Sequence, residues 1–203
     1  FVVGPNKIAV AIADVSGKGI SASILMAICQ TNLRHLSRQH SSPAQVLRAM
    51  NEQMHQSMRR DMFITIIYAI IDLSLDSITL ARAGHEAPLL YQHTSDGSLC
   101  VSQIQSSGMA LGMVPPEIFD LSISDKTVPF RKDDALILYT DGVTESVNAS
   151  GEEFGSERLC ETLHSNGGCG AQALLDHVMD SIDRFSGQEG PLDDLTLIAI
   201  KHR

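Results

Sequence analysis

Met62-Phe63-Ile64-Thr65-Ile66-Ile67-Tyr68-Ala69-Ile70-Ile71 is the longest apolar run of the chain, interrupted only by Thr65. Branching at Cβ stiffens most of these side chains and suits them to a pleated strand. The run does not alternate with polar residues, so it reads as a strand buried on both faces. The segments before it have another period. Ile20 to His40 contains no Pro or Gly and sets Ile24, Leu25, Ile28 and Leu36 at roughly helical spacing. Ser42 followed by Pro43 reads as the N-cap and first position of a second helix, whose stripe of Val46/Leu47, Met50, Met54 and Met58 recurs every four residues. That stripe is read as core packing in preference to a partner-binding face. Upstream again, Lys7 to Ala13 is a short apolar run ending at Asp14, followed by the turn signal Ser16-Gly17-Lys18-Gly19.

Downstream of the long run, Asp72 to Ser77 reads as a turn and Ile78 to Ala83 as a strand. Leu89 to Gln92 and Leu99 to Ile104 flank Ser95-Asp96-Gly97, a hairpin signal. Phe119, Leu121 and Ile123 alternate as in a strand, and Ala135 to Thr140 is a buried strand ending at Asp141-Gly142. Two helices follow, Ser156 to Ser165 and Ala171 to Phe185, then the Gly187 to Pro191 loop and a last strand, Leu195 to Ile200. Strands run together between helix pairs and do not alternate with single helices, which argues against a doubly wound parallel sheet. The expected class is α+β, with two packed antiparallel sheets flanked by helical pairs in an α-β-β-α sandwich. No internal repeat or long linker divides the chain, so residues 1–203 are expected to form a single domain.

Composition narrows the function. Over 203 residues, 15 Lys+Arg against 24 Asp+Glu give a formal net charge of −9, with 43% hydrophobic and 19% charged residues. This is a folded domain, not a disordered one. An acidic chain is a poor ligand for nucleic acid, whose phosphates demand Lys and Arg. No segment reaches the ~18 apolar residues of a membrane span. Cys29, Cys100, Cys160 and Cys169 form no CxxC, which favours a reduced, cytoplasmic protein over a disulfide scaffold or zinc site. The chain opens at Phe1 and has no basic leader, so a fragment of a longer protein is expected.

Three acids stand where a strand meets a turn: Asp14 after KIAVAIA, Asp141 after ALILYT, and Asp193-Asp194 before LTLIAI. Carboxylates at strand ends can converge at one sheet edge and hold a hard cation such as Mg²⁺ or Mn²⁺. Taken singly, each is equally an ordinary turn aspartate. Ser16-Gly17-Lys18-Gly19 is not a phosphate loop, because it lacks the earlier glycine and the Ser/Thr after the lysine.

The words around these acids carry a resemblance. DVSGKG (Asp14 to Gly19), RAGH (Arg82 to His85) with Pro88, LYTDGVTE (Leu138 to Glu145) and DDLTL (Asp193 to Leu197) occur in the order found in bacterial stage II sporulation protein E-like phosphatases, a branch of the metal-dependent protein phosphatase 2C family. DMFIT (Asp61 to Thr65) and GMALG (Gly108 to Gly112) match as well, so the resemblance runs from about residue 7 to residue 201. It implies the sandwich fold and a pair of Mn²⁺ or Mg²⁺ ions, with a third ion conceivable. Asp14 would bridge both metals, the Val15 carbonyl would bind one, and Asp141 and Asp193 would hold the other, making the three aspartates the catalytic set. Asp194, Gly142, His85 and Lys18 are candidates for supporting positions. For His85 a structural hydrogen bond, for Lys18 a solvated turn and for Asp194 a turn role stand as alternatives. Asp61 reads as a surface residue.

The implied function is hydrolysis of phosphoserine or phosphothreonine on a bacterial regulatory protein, such as an anti-sigma-factor antagonist. An upstream sensor or receiver domain and a homodimer are further expectations. The family's upstream Gly-Gly-Asp would fall before Phe1 and is not in the sequence. This supplies the rival reading, a weak or inactive pseudo-phosphatase that binds a protein partner.

Overall fold

The computed structural model describes residues 1–203 except 57, 60, 95–97, 167 and 188–193. Among the described residues it contains nine strands and six helices: β1 (Val2–Gly4), β2 (Lys7–Val15), α1 (Ile20–Leu36), α2 (Pro43–His55), β3 (Ile64–Asp72), β4 (Ser77–Ala83), β5 (Leu89–His93), β6 (Leu99–Gln103), α3 (Pro116–Ser122), β7 (Lys126–Pro129), β8 (Ala135–Tyr139), α4 (Asp141–Thr144), α5 (Gly155–Ser165), α6 (Ala171–Ser186) and β9 (Leu197–Lys201). The strands form two antiparallel sheets, β1-β2-β3-β4-β7 and β6-β5-β8-β9, and the class is α+β. Contacts group the chain into two compact units, Phe1–His85 with Gln105–Pro129, and Glu86–Ile104 with Phe130–Arg203. No described helix is long and apolar enough to cross a membrane.

In the first unit, β2 and β3 pair over nine positions, from Lys7↔Asp72 to Val15↔Ile64. Ile64, Ile66, Tyr68 and Ile70 pack against Cys29, Leu33 and Leu36 of α1 and Val46, Leu47, Met50 and Met54 of α2. The intervening Ile67, Ala69 and Ile71 are also buried, so β3 is covered on both faces as its composition predicts. Each such aliphatic side chain contributes about 1.5–3 kcal/mol of burial. The stripe of α2 is core, as expected, with Met58 partly buried against the same cluster. Its N-terminus is capped twice. The Ser42 hydroxyl accepts from Gln45 N at 3.2 Å and donates to Asp125, whose other oxygen accepts from Ala44 N at 2.7 Å. On α1 the buried line is Cys29, Leu33 and Leu36, while Ile24 and Ile28 face solvent.

The expected strand at Phe119, Leu121 and Ile123 is helix α3. Pro115 and Pro116 set its start, and Phe119 and Ile123 are buried four residues apart while Leu121 is 90% exposed. A strand would put all three on one face. Arg48 Nη2 secures the helix end by donating to Ile123 O at 2.7 Å.

Segment 108–112 is clamped into this unit from three sides. Gly84 N donates to Gly108 O at 2.9 Å, Ile64 and Leu111 exchange two backbone bonds, and Gly112 N donates to Asn51 Oδ1 at 2.8 Å. A Cβ at Gly108 would stand 1.9 Å from Arg82 O.

In the second unit, Leu89, Tyr91, Ala135, Ile137 and Tyr139 of the sheet pack on Leu159 and Leu163 of α5 and Leu174, Val178 and Ile182 of α6. β5 and β6 pair as a hairpin, and its tip at Ser95-Asp96-Gly97 lies outside the described residues. Tyr91 Oη accepts from Gly168 N at 2.6 Å, which pins the α5–α6 connection to the sheet.

Two substitutions test this account. Gly108→Ala forces the Arg82 carbonyl to move, and a loss of about 1–3 kcal/mol is expected from such overpacking; an unchanged melting temperature would contradict the clamp. At the β3–β4 turn, the Ser74 hydroxyl and then Lys7, at 3.0 Å, hold the Asp72 carboxyl down at about 2. The unfolded chain's value is near ~3.9, so this contribution is complete above that pH and drains as pH falls toward about 2. Urea midpoints measured between about pH 5 and pH 2.5 should therefore fall more steeply for the wild type than for Asp72→Asn. Parallel slopes would refute this role.

Candidate functional site

In the first unit, Asp14 is exposed at the penultimate position of β2, opposite Thr65. Opposed residues of an antiparallel pair share a face, here the face turned away from the α1–α2 pair. Thr65 Oγ1 lies 2.9 Å from Nδ1 of His85, which is only 3% exposed. His85, which follows β4, is therefore hydrogen-bonded to Thr65, the residue opposite Asp14 on β3. Arg82 holds the loop that carries it: Nη1 donates to His85 O at 2.7 Å, Nε to Ser106 O at 2.8 Å, and Nη2 to the same Ser106 carbonyl.

The DVSGKG segment is tied down just past Asp14. Ser16 N donates to Phe63 O at 3.0 Å, and Ser16 Oγ accepts from Phe63 N at 2.8 Å. A side chain thus finishes the ladder. Gly17 and Gly19, at φ +89° and +87°, then turn the chain through a region open chiefly to glycine, and Lys18 is exposed between them. The bond from Ser16 puts the backbone groups of even-numbered β2 residues toward β3. Those of odd-numbered residues point the other way, as the mutual bonds of Phe1 and Ala9 confirm. On that side β1 pairs with β2 as far as Ala9, and the Val15 carbonyl, on an odd-numbered residue, points to the same side, away from β3.

In the second unit, Asp141 is exposed at the first position of α4, directly after β8. Its Oδ1 accepts from Gly142 N at 2.9 Å, and its carbonyl accepts from Glu145 N at 2.7 Å. Thr140, 6% exposed, is the link to the last motif. Its hydroxyl donates to Asp194 O at 3.3 Å and accepts from Thr196 N at 3.1 Å, while Thr140 N donates to Thr196 O at 3.1 Å. The chain at Asp194 is thereby held beside Asp141. Asp193 lies outside the described residues.

The structure thus brings Asp14, Val15 and His85 together at one sheet end, and Asp141, Gly142 and Asp194 at an end of the other. Among the described residues no group of three or more His, Cys, Asp or Glu side chains stands together to hold a metal ion. In kind, the exposed Asp14 and Asp141 carboxylates and the Val15 main-chain carbonyl are each oxygen donors, of the type that suits Mg²⁺ or Mn²⁺ and not zinc. Asp61 is exposed and paired with Arg59 at 2.9 Å, as expected of a surface residue. Thr65, Arg82 and Thr140 were not singled out from sequence. For the two threonines a signal existed, since each is a lone Thr in or closing an aliphatic run that would otherwise be uniformly apolar.

The stage II sporulation protein E (SpoIIE) family model matches residues 4–203. Phosphoserine phosphatase RsbU of Bacillus subtilis is 30% identical over 211 residues, covering 100% of this chain and 58% of RsbU. Protein IcfG of Synechocystis is 27% identical over 229 residues, covering 98% of this chain and 34% of IcfG. The chain therefore spans well under two thirds of these curated relatives. Two solved structures share the fold at a TM-score of 0.77 and 18% identity: the SiaA-PP2C domain of Pseudomonas aeruginosa, covering 98% of this chain and 81% of that one, and the phosphatase 2C domain of SpoIIE from Bacillus subtilis, covering 99% and 56%. With nearly its whole length matched, the chain belongs to the stage II sporulation protein E (SpoIIE) family, and it shares its fold with those phosphatase 2C domain structures.

Proposed function

We propose that this chain is the catalytic domain of a metal-dependent protein serine/threonine phosphatase, acting on phosphoserine or phosphothreonine of a bacterial regulatory protein such as an anti-sigma-factor antagonist. The observation that carries this reading is the placing of Asp14 and Asp141, each exposed at a strand end inside a motif of a family that includes a phosphoserine phosphatase. A cytoplasmic location, an upstream sensor or receiver domain and a homodimer belong to the same reading.

Asp14, the Val15 carbonyl, Asp141 and Asp193 are the residues that would hold Mn²⁺ or Mg²⁺. When bound, a pair of such cations supplies the Lewis acidity that activates water for in-line attack and offsets charge on the phosphoryl oxygens. The chain's own residues set the stage. Gly142 N–H donates to one oxygen of Asp141 and so restrains its carboxylate. Thr140 keeps the Asp194 segment beside it, and Asp194 and Gly142 thereby support the aspartates. Thr65, opposite Asp14, holds the buried His85 ring, which is assigned a supporting role there. Lys18, exposed in its turn, is within the same motif and is assigned the approach of the anionic substrate.

Hydrolysis of p-nitrophenyl phosphate with Mn²⁺, and its loss in EDTA, is the first measurement. Asp141→Asn keeps an acceptor for Gly142 N, so the fold should persist while turnover falls at least ~100-fold, the upper end of what even a supporting residue costs. Undiminished turnover would overturn the assignment. Folded wild-type protein that is silent with Mn²⁺ would favour the partner-binding pseudo-enzyme. Thr140→Val should raise the Mn²⁺ concentration needed for half-maximal rate about tenfold, with Thr140→Ser close to wild type; equal metal requirement in both variants would remove Thr140 from the account.

A further inference from the structure

A cleft of about 480 Å³ lies wholly within the first unit, lined by Arg82, Gln105, Ser106, Ser107, Ser124, Asp125 and Lys126. It opens where β7 begins beside β4: Leu80 pairs with Lys126, and continuing that register sets Arg82 opposite Ser124. Its charge balance is unusual in a chain of net charge −9. Asp125 is the cleft's acid, and its two oxygens are engaged by Ser42 Oγ and Ala44 N at the start of α2. Among the described residues no carboxylate lies within ion-pairing distance of Arg82 or Lys126.

Arg82 is preorganised. Three of its nitrogens donate to the carbonyls of Ser106 and His85, which fixes the guanidinium plane without neutralising its charge and leaves two of its five N–H donors over. Ser106 Oγ is buried at the same place and finds no hydrogen-bond partner among the described residues. A buried hydroxyl without a partner costs about 1–3 kcal/mol. A rigid uncompensated guanidinium, an ammonium and an unmatched hydroxyl around one hollow are complementary to an oxyanion.

We propose that this cleft binds an oxyanion, carboxylate or phosphate, carried by a polypeptide that docks on the first unit. Arg82 is two strands from Asp14, about 10 Å across the sheet, so a polypeptide whose anionic group sits in the cleft is long enough to reach the Asp14 end. The polypeptide nature of the ligand rests on the phosphatase reading; the preference for an anion does not.

The test is fluorescence anisotropy of short labelled peptides in EDTA, one rich in glutamate, one with phosphoserine in place of a glutamate, and a glutamine control. The wild type should bind both anionic peptides more tightly than the control, and the tighter of the two identifies the oxyanion. Lys126→Gln and Ser106→Ala should each weaken anionic binding about three- to tenfold, with added salt weakening the wild type similarly. Ser106→Ala should leave the melting temperature unchanged or higher, since its hydroxyl makes no bond to a described residue. Turnover of p-nitrophenyl phosphate, too small to span the cleft and the Asp14 end, should stay within about twofold of wild type in both variants. Equal affinity for all three peptides, or unchanged affinity in both variants, would overturn the proposal. Absence of Mn²⁺-dependent turnover would count against the phosphatase alone, because peptide binding is read without metal.

Discussion

The nine-position ladder between β2 and β3 is the constraint on which the first unit depends. Side chains alternate faces along a strand, so a slip of one residue would exchange them all. The register that buries Ile64, Ile66, Tyr68 and Ile70 under the helix pair also places Asp14 and Thr65 on the opposite face. Apolar burial thus decides where a polar side chain emerges. The same alternation turns the Val15 carbonyl away from β3.

Around that ladder, backbone contacts give the site its rigidity. Residues 108–112 return to β3, to Gly84 and to Asn51 of α2, and the fit at Gly108 admits no side chain. Arg82 adds a guanidinium braced on two carbonyls. Closely packed segments of this kind tolerate little displacement. The second unit reaches a similar end by other means. A single hydroxyl, Thr140 Oγ1, is donor to one side of the neighbouring segment and acceptor from the other, and it fixes the main chain on which Asp194 stands relative to Asp141.

Much of this was legible in the residues alone. The β-branched density of 62–71, the Ser42-Pro43 start of α2 with its four-residue stripe, and the strand ends at Asp14 and Asp141 are local patterns, and local preference does not change when the chain folds. The family words lie on these same strand ends. The α3 segment was misread because Phe119 and Ile123 satisfy a strand's period as well as a helix's four-residue repeat. Only the exposure of Leu121 separates the two, and exposure is set by the surroundings.

Residue type and spacing by themselves determined the class of fold, the two helix pairs and the oxygen-rich donor set that points to a hard cation. Tertiary structure alone decided which hydroxyl meets which segment, why Gly108 must be glycine, and that Arg82 and Lys126 line one cleft. Each of these is a meeting of segments 20 or more residues apart. Their geometry follows from how sheet and helices pack, and no single stretch of the chain contains it.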